Sequence, residues 1–119
     1  MAFFDVTGDG TTLRGRGFDL PVPSRFAGRT EPGHALVLGI RPEHFIEGGE
    51  ATHSIEARIE VVEPLGADVQ VNCDVAGQAF TARLAPTTAV AVGDRVRFTI
   101  TPDHMHLFDK ASGEALPRA

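Results

Sequence analysis

Arg41-Pro42-Glu43-His44 packs a cation, two titratable groups and a fixed turn into four residues, directly after an apolar run. An arginine can grip a carboxylate through two parallel hydrogen bonds, and the proline ring presets the backbone that presents Glu43 and His44. The chemistry open to such a cluster is contact: either a loop pinned by its own ion pair, which contributes little to stability, or a surface that meets a partner. Glu63-Pro64-Leu65-Gly66, followed by Asp68, offers the same choice, because a bulge or corner between strands accounts for Gly66 without any partner. Arg41, Glu43, His44, Glu63, Gly66 and Asp68 are therefore the candidate interface or regulatory residues.

Other chemistries find less support. A phosphate-binding loop needs a glycine-rich turn delivering backbone N–H groups together with a lysine, yet the only lysine is Lys110, after Phe108-Asp109. Ser24, Ser54 and Ser112 lack the G-x-S-x-G frame of a strained nucleophile elbow. Asp5-x-Thr7-x-Asp9-Gly10 imitates the opening of a calcium loop, but its twelfth position is Arg16, a cation where a bidentate carboxylate is required, so a β-turn is expected. His104-x-His106 would place two imidazoles on one side of a strand, and zinc would still need a third ligand such as His44. Solvent-facing histidines are the expectation there. Cys73 alternates with Val71 and Val75, which predicts burial rather than reactivity. No catalytic, cofactor-binding or metal-ligating residue is nominated.

The elements that must carry these residues are strands. Ile55, Ala57, Ile59 and Val61 alternate with Glu56, Arg58 and Glu60, the pattern of a half-buried strand that Glu63 to Asp68 interrupts. Val69, Val71, Cys73 and Val75 alternate next, and Ala76-Gly77 turns them back into Phe80, Ala82 and Leu84, so residues 69–84 read as a hairpin. Asp94 to Ile100 repeats the alternation, and Met105 to Phe108 is long enough for an edge or closing strand. Ala35 to Ile40 is continuously apolar and reads as a short strand buried on both faces. In the less regular residues 1–33, Phe3 to Val6, Thr11 to Arg14 and Gly17 to Val22 read as short additional strands. Pro23 to Ala27 and Pro42 to Phe45 could each close one helical turn. No internal repeat is evident, and the longest linker is Glu47 to Glu50.

With 119 residues, 42% of them hydrophobic, the chain fits one domain, 1–119, whose regular barrel region is 34–119. Thirteen glycines and eight prolines argue against a helical bundle. One-sided short strands close most economically into an all-β, small antiparallel β-barrel, which the resemblance given below makes OB-like. The net charge of −5 belongs entirely to residues 34–119, because four arginines balance four acids before them. With that charge and without Trp or Tyr to stack on bases, no nucleic-acid partner is expected. One cysteine, no apolar stretch of membrane-spanning length and no secretory leader lead to the expectation of a soluble, intracellular protein.

Four motifs in order, Leu38-Gly39-Ile40-Arg41-Pro42-Glu43-His44, Val61-Val62-Glu63-Pro64-Leu65-Gly66, Gly93-Asp94-Arg95-Val96 and Pro102-Asp103-His104-Met105-His106-Leu107-Phe108-Asp109, resemble the C-terminal region of sugar-importer ABC ATPase subunits of the maltose and glycerol-3-phosphate group. The resemblance runs from about Phe3 to Leu116. It implies a transport-associated OB domain: a cytoplasmic, non-catalytic regulatory and dimerisation module that sits peripherally at the inner face of a bacterial membrane. The partners it implies are a second copy, the nucleotide-binding domain, the membrane permease subunits and, in some members, regulatory proteins. ATP and magnesium would belong to a nucleotide-binding domain whose Walker and signature motifs are absent from this sequence. Related barrels elsewhere bind small ligands or oxyanions, which is the alternative, although one lysine and few serines supply few donors for an anion.

Overall fold

A computed structural model describes residues 1–49 and 51–116, so Glu50, the end of the expected linker, and residues 117–119 lie outside the described residues. The described chain is all-β, with ten strands and four single 3-10 turns. The strands are β1 (Ala2–Gly8), β2 (Thr12–Gly15), β3 (Phe18–Pro21), β4 (His34–Ile40), β5 (Ile46–Glu47), β6 (Ser54–Pro64), β7 (Val69–Val75), β8 (Gln78–Leu84), β9 (Arg95–Thr99) and β10 (His106–Asp109). They form two antiparallel sheets, β10-β4-β1-β2-β3 and β5-β9-β6-β7-β8, consistent with the small barrel that the alternation implied and the OB-like form that the resemblance implied.

Alternation decides which side chains enter the core. Ile55, Ala57 and Ile59 of β6, Val69, Val71, Cys73 and Val75 of β7, and Phe80, Ala82 and Leu84 of β8 are all buried. The β7–β8 hairpin turns on Ala76 and Gly77, both at positive φ (49° and 84°), which matches the twist of the two strands. Asp74 accepts a hydrogen bond from the Gly77 N–H at 3.2 Å and steadies that turn. Phenylalanines stitch the sheets together: Phe80 of β8 lies 5.3 Å from Phe4 of β1 and 4.9 Å from Phe45, whose ring is also 5.9 Å from Phe98 of β9.

Two expectations are corrected. The pairing of β6 with β7 shifts register between Ile59 and Val61, so Glu60 is an extra residue and Val61 turns outward, 44% exposed, instead of continuing the buried face. The run Ala35 to Ile40 is buried on one face only. Leu36, Leu38 and Ile40 point into the core, whereas Ala35 is exposed and Val37 half-buried. The outward face is covered only at Gly39, where a Cβ would meet Met1 and the rings of Phe108 and Phe3.

Candidate interaction surface

The chain passes between the two sheets twice among the described residues, once from β4 to β5 and once from β9 to β10. Both crossings are built alike. Ile40-Arg41-Pro42-Glu43-His44-Phe45 and Ile100-Thr101-Pro102-Asp103-His104-Met105 each run from a buried isoleucine, through an extended residue and a proline-led 3-10 turn, to a buried apolar residue. The turn closes on the same bond in both, His44 N–H to the Arg41 carbonyl and His104 N–H to the Thr101 carbonyl, each at 2.9 Å. This is a short internal repeat, contrary to the expectation of none. Sixty residues separate its copies, and only the order apolar, any, Pro, acid, His, apolar marks it.

The repeat brings the two histidines together. The His44 and His104 rings stack with centroids 3.7 Å apart and planes within 10°. His104 therefore ends a turn and does not share a strand face with His106. Lone pairs in parallel ring planes cannot converge on one ion, and no group of three ligating side chains is found among the described residues. Arg25, in the 3-10 turn Ser24–Phe26, holds the second crossing from outside: it donates to the carbonyls of Pro102 and Met105, and its guanidinium lies 4.6 Å over the Phe26 ring.

Arg41 and Glu43 project outward from the first crossing. No ion pair of either is found among the described residues, so of the two alternatives the loop pinned by its own ion pair is not what the structure has; proline geometry, the backbone bond and the histidine stack hold the turn. The Glu43 carboxyl is held below its usual range, first by its own backbone N–H and then by the charges of His44, Arg41 and Arg83. Glu63 is exposed at the end of β6, and beyond it the Leu65 N–H bonds to the Asp68 carbonyl at 2.9 Å, with Gly66 at φ +87°. Asp68 is half-buried beside the start of β7.

Strand register joins the two candidate loops. Glu63 is opposite Gln70, and Gln70 is opposite Arg83, so these three share an outward row across β6, β7 and β8. Arg83 then faces Glu43 across a groove of about 350 Å³ that Ile46, Glu47 and Thr88 also line. The result is one surface ordered acid, amide, arginine, acid. Arg83 was not singled out from the sequence; its place as an outward residue of the hairpin was legible, its neighbour across the crossing was not.

The remaining motifs resolve into local structure. Asp9 accepts bonds from the N–H groups of Thr12 (2.7 Å) and Thr11 (3.2 Å), which depress its carboxyl pKa in that order, while Asp5 pairs with Lys110 at 3.3 Å; this is a capped β-turn. Cys73 is buried, and desolvation pushes its thiol up to about 12. Asp109 bonds His34 at 2.7 Å and the Ser112 N–H at 2.8 Å, contacts that hold its carboxyl down at about 2. A second groove, lined by Glu56, Arg58, Asp74 and Arg95, has its arginines already met by carboxylates: Arg58 by Glu60 at 2.9 Å and Arg95 by Glu56 at 3.2 Å.

Comparison with known proteins places this geometry. The family model for the TOBE domain matches residues 38–108, the span that contains both crossings and the whole acid–arginine surface. The xylose/arabinose import ATP-binding protein XacK of Haloferax volcanii is 34% identical over 122 residues, covering 98% of this chain and 32% of that protein. The sn-glycerol-3-phosphate import ATP-binding protein UgpC of Chromobacterium violaceum is 34% identical, covering 100% and 32%, and that of Cupriavidus pinatubonensis is 43% identical over 86 residues, covering 71% and 23%. The chain spans about a third or less of the length of these relatives.

Proposed function

Because the chain belongs to the TOBE domain family and matches importer ATP-binding proteins along nearly its whole length, we propose that it is the non-catalytic regulatory and dimerisation module of a sugar or glycerol-phosphate type importer's ATP-binding subunit. Nucleotide chemistry, with ATP and magnesium, falls to a nucleotide-binding domain outside this sequence. The membrane permease subunits are partners of the assembly, which works at the cytoplasmic face. No helix among the described residues is long and apolar enough to cross a membrane.

The row Glu63, Gln70, Arg83, Glu43 is the observation that carries the reading. A two-fold dimer needs a surface complementary to itself, and a row with an arginine between acids meets that need: turned about a two-fold axis, Arg83 of one copy faces an acid of the other and the reverse contact follows by symmetry. Arg41, at the rim of the row, adds a donor pair for a partner carboxylate. Such a pairing would keep two ATP-binding subunits at a local concentration of roughly millimolar while their nucleotide-binding domains open and close. An effector that prefers one arrangement of the pair would then shift transport by the difference in its affinities.

Sedimentation over a concentration series tests this. The expected result is a monomer–dimer equilibrium weakened by Arg41→Ala and by Glu63→Ala. A monomer at every concentration rejects dimerisation by this domain, and a dimer unaffected by both substitutions rejects the surface.

A further inference from the structure

We propose that the stacked His44–His104 pair is a proton-sensitive clasp on the seam of the barrel, so that taking up one proton below neutral pH loosens the hold between its two sheets. The inference does not depend on dimerisation. It rests on where the pair sits: the two rings join the two crossings by which the described chain passes from sheet to sheet, and they join them face to face at 3.7 Å.

The geometry makes a second proton costly. The Nδ1 atoms of both rings are buried without a hydrogen-bond partner. A proton placed on either would leave a buried N–H with no acceptor, and the charge it brings would lie against the other imidazole 3.7 Å away. The surrounding charges are mixed. On the first crossing Arg41 opposes protonation of His44 and Glu43 favours it. On the second, Asp103 is 90% exposed and lies 4.0 Å from Arg25, which is itself committed to the Pro102 and Met105 carbonyls. From β8, Arg83 faces Glu43, and just before β1 the amino-terminal Met1 borders the cavity beside Pro42. Desolvation dominates these, followed by the facing His104, and the His44 pKa is lowered.

The sign follows from linkage. In the unfolded chain a histidine takes its proton near pH 6.5, whereas folded His44 takes it at lower pH, so between those values the unfolded state binds more protons and stability falls as pH falls. The clasp is closed at neutral pH and weakens on acidification. Replacing a ring by phenylalanine keeps an aromatic face in the stack and removes the proton site.

The test is the thermal midpoint of the whole chain by circular dichroism between pH 7.5 and 5.5, for the parent and for His44→Phe/His104→Phe. The parent should lose roughly 3–6 °C for each tenfold difference in proton affinity between folded and unfolded states, in excess of the loss shown by the double variant, which retains the other three histidines. An equal slope in both chains overturns the proposal. Should the variant fail to fold, imidazole proton titration by NMR on the parent and on His104→Phe decides. His44 should titrate below 6.5 in the parent and move up when the facing ring is one that cannot take a proton; titration of His44 at the ordinary value in both chains overturns the clasp.

Discussion

Arg25→Ala should be among the most damaging single changes outside the apolar core. The side chain is only 18% exposed, donates to two carbonyls of the second crossing and lies over Phe26. A hydrogen bond from a charged donor contributes about 1.5–3 kcal/mol net, and a cation over an aromatic face about 1 kcal/mol. These contacts share one guanidinium and are not additive, so the expected loss is about 3–5 kcal/mol, near 10–20 °C in Tm for a chain of this size. The ion pair with Asp103 is long and that carboxylate is 90% exposed; Asp103→Ala should therefore cost less than about 0.5 kcal/mol. Arg25→Lys, a point charge without the planar fork, should recover only part of the loss. With neither Trp nor Tyr in the sequence, urea unfolding is followed by far-ultraviolet circular dichroism, with the midpoint shifted and the m-value unchanged. A loss below about 1 kcal/mol for Arg25→Ala, or one matched by Asp103→Ala, would refute the assignment of the carbonyl contacts as the source of stability.

Gly66→Val tests the corner between β6 and β7. A Cβ there meets nothing within 4 Å, so the whole cost, about 1–3 kcal/mol, comes from holding a β-branched residue at φ +87°, and Gly66→Asn should recover most of it. An unchanged melting temperature for the valine variant would remove any backbone role from Gly66. Asp109 gives a separate acid limb: its pKa is depressed to about 2 by His34 first and the Ser112 N–H next, so its contribution is complete above pH 4 and is lost between about 4 and 2 as the carboxylate protonates. Asp109→Asn should flatten the stability profile in that window, and an unaltered acid limb would count against the His34–Asp109 bond.

Face alternation was legible because it depends only on neighbours in sequence. The β7–β8 hairpin, with Ala76-Gly77 at its tip, and the buried side of β6 up to Ile59 follow from period-two patterning alone. What failed required knowledge of partners. Val61 continues the apolar alternation in sequence, yet the bulge at Glu60 turns it outward, and nothing local marks that shift. Ala35 to Ile40 is apolar throughout because its outer face supports Phe3 and Phe108, which come from strands on either side of it, not because a second layer covers it. The candidate loops were found by their polar density, whereas their union through Arg83 depended on cross-strand register, and the His44–His104 stack on two segments sixty residues apart.

The crossings explain why seam and surface lie so close. Within the first turn the proline sets alternate directions, so Arg41 and Glu43 go to solvent while Phe45 enters the core and His44 packs on the second crossing. The position of Glu43 opposite Arg83 is thus fixed by whatever holds His44, since one residue of 3-10 backbone separates surface from stack. Interactions that secure the crossings, from Arg25 and from the histidine pair, therefore also fix the spacing of charges along the outward row. If a second copy meets that row as proposed above, it meets charges whose spacing is set by the crossings, while the strands that carry Gln70 and Arg83 stay in their registers.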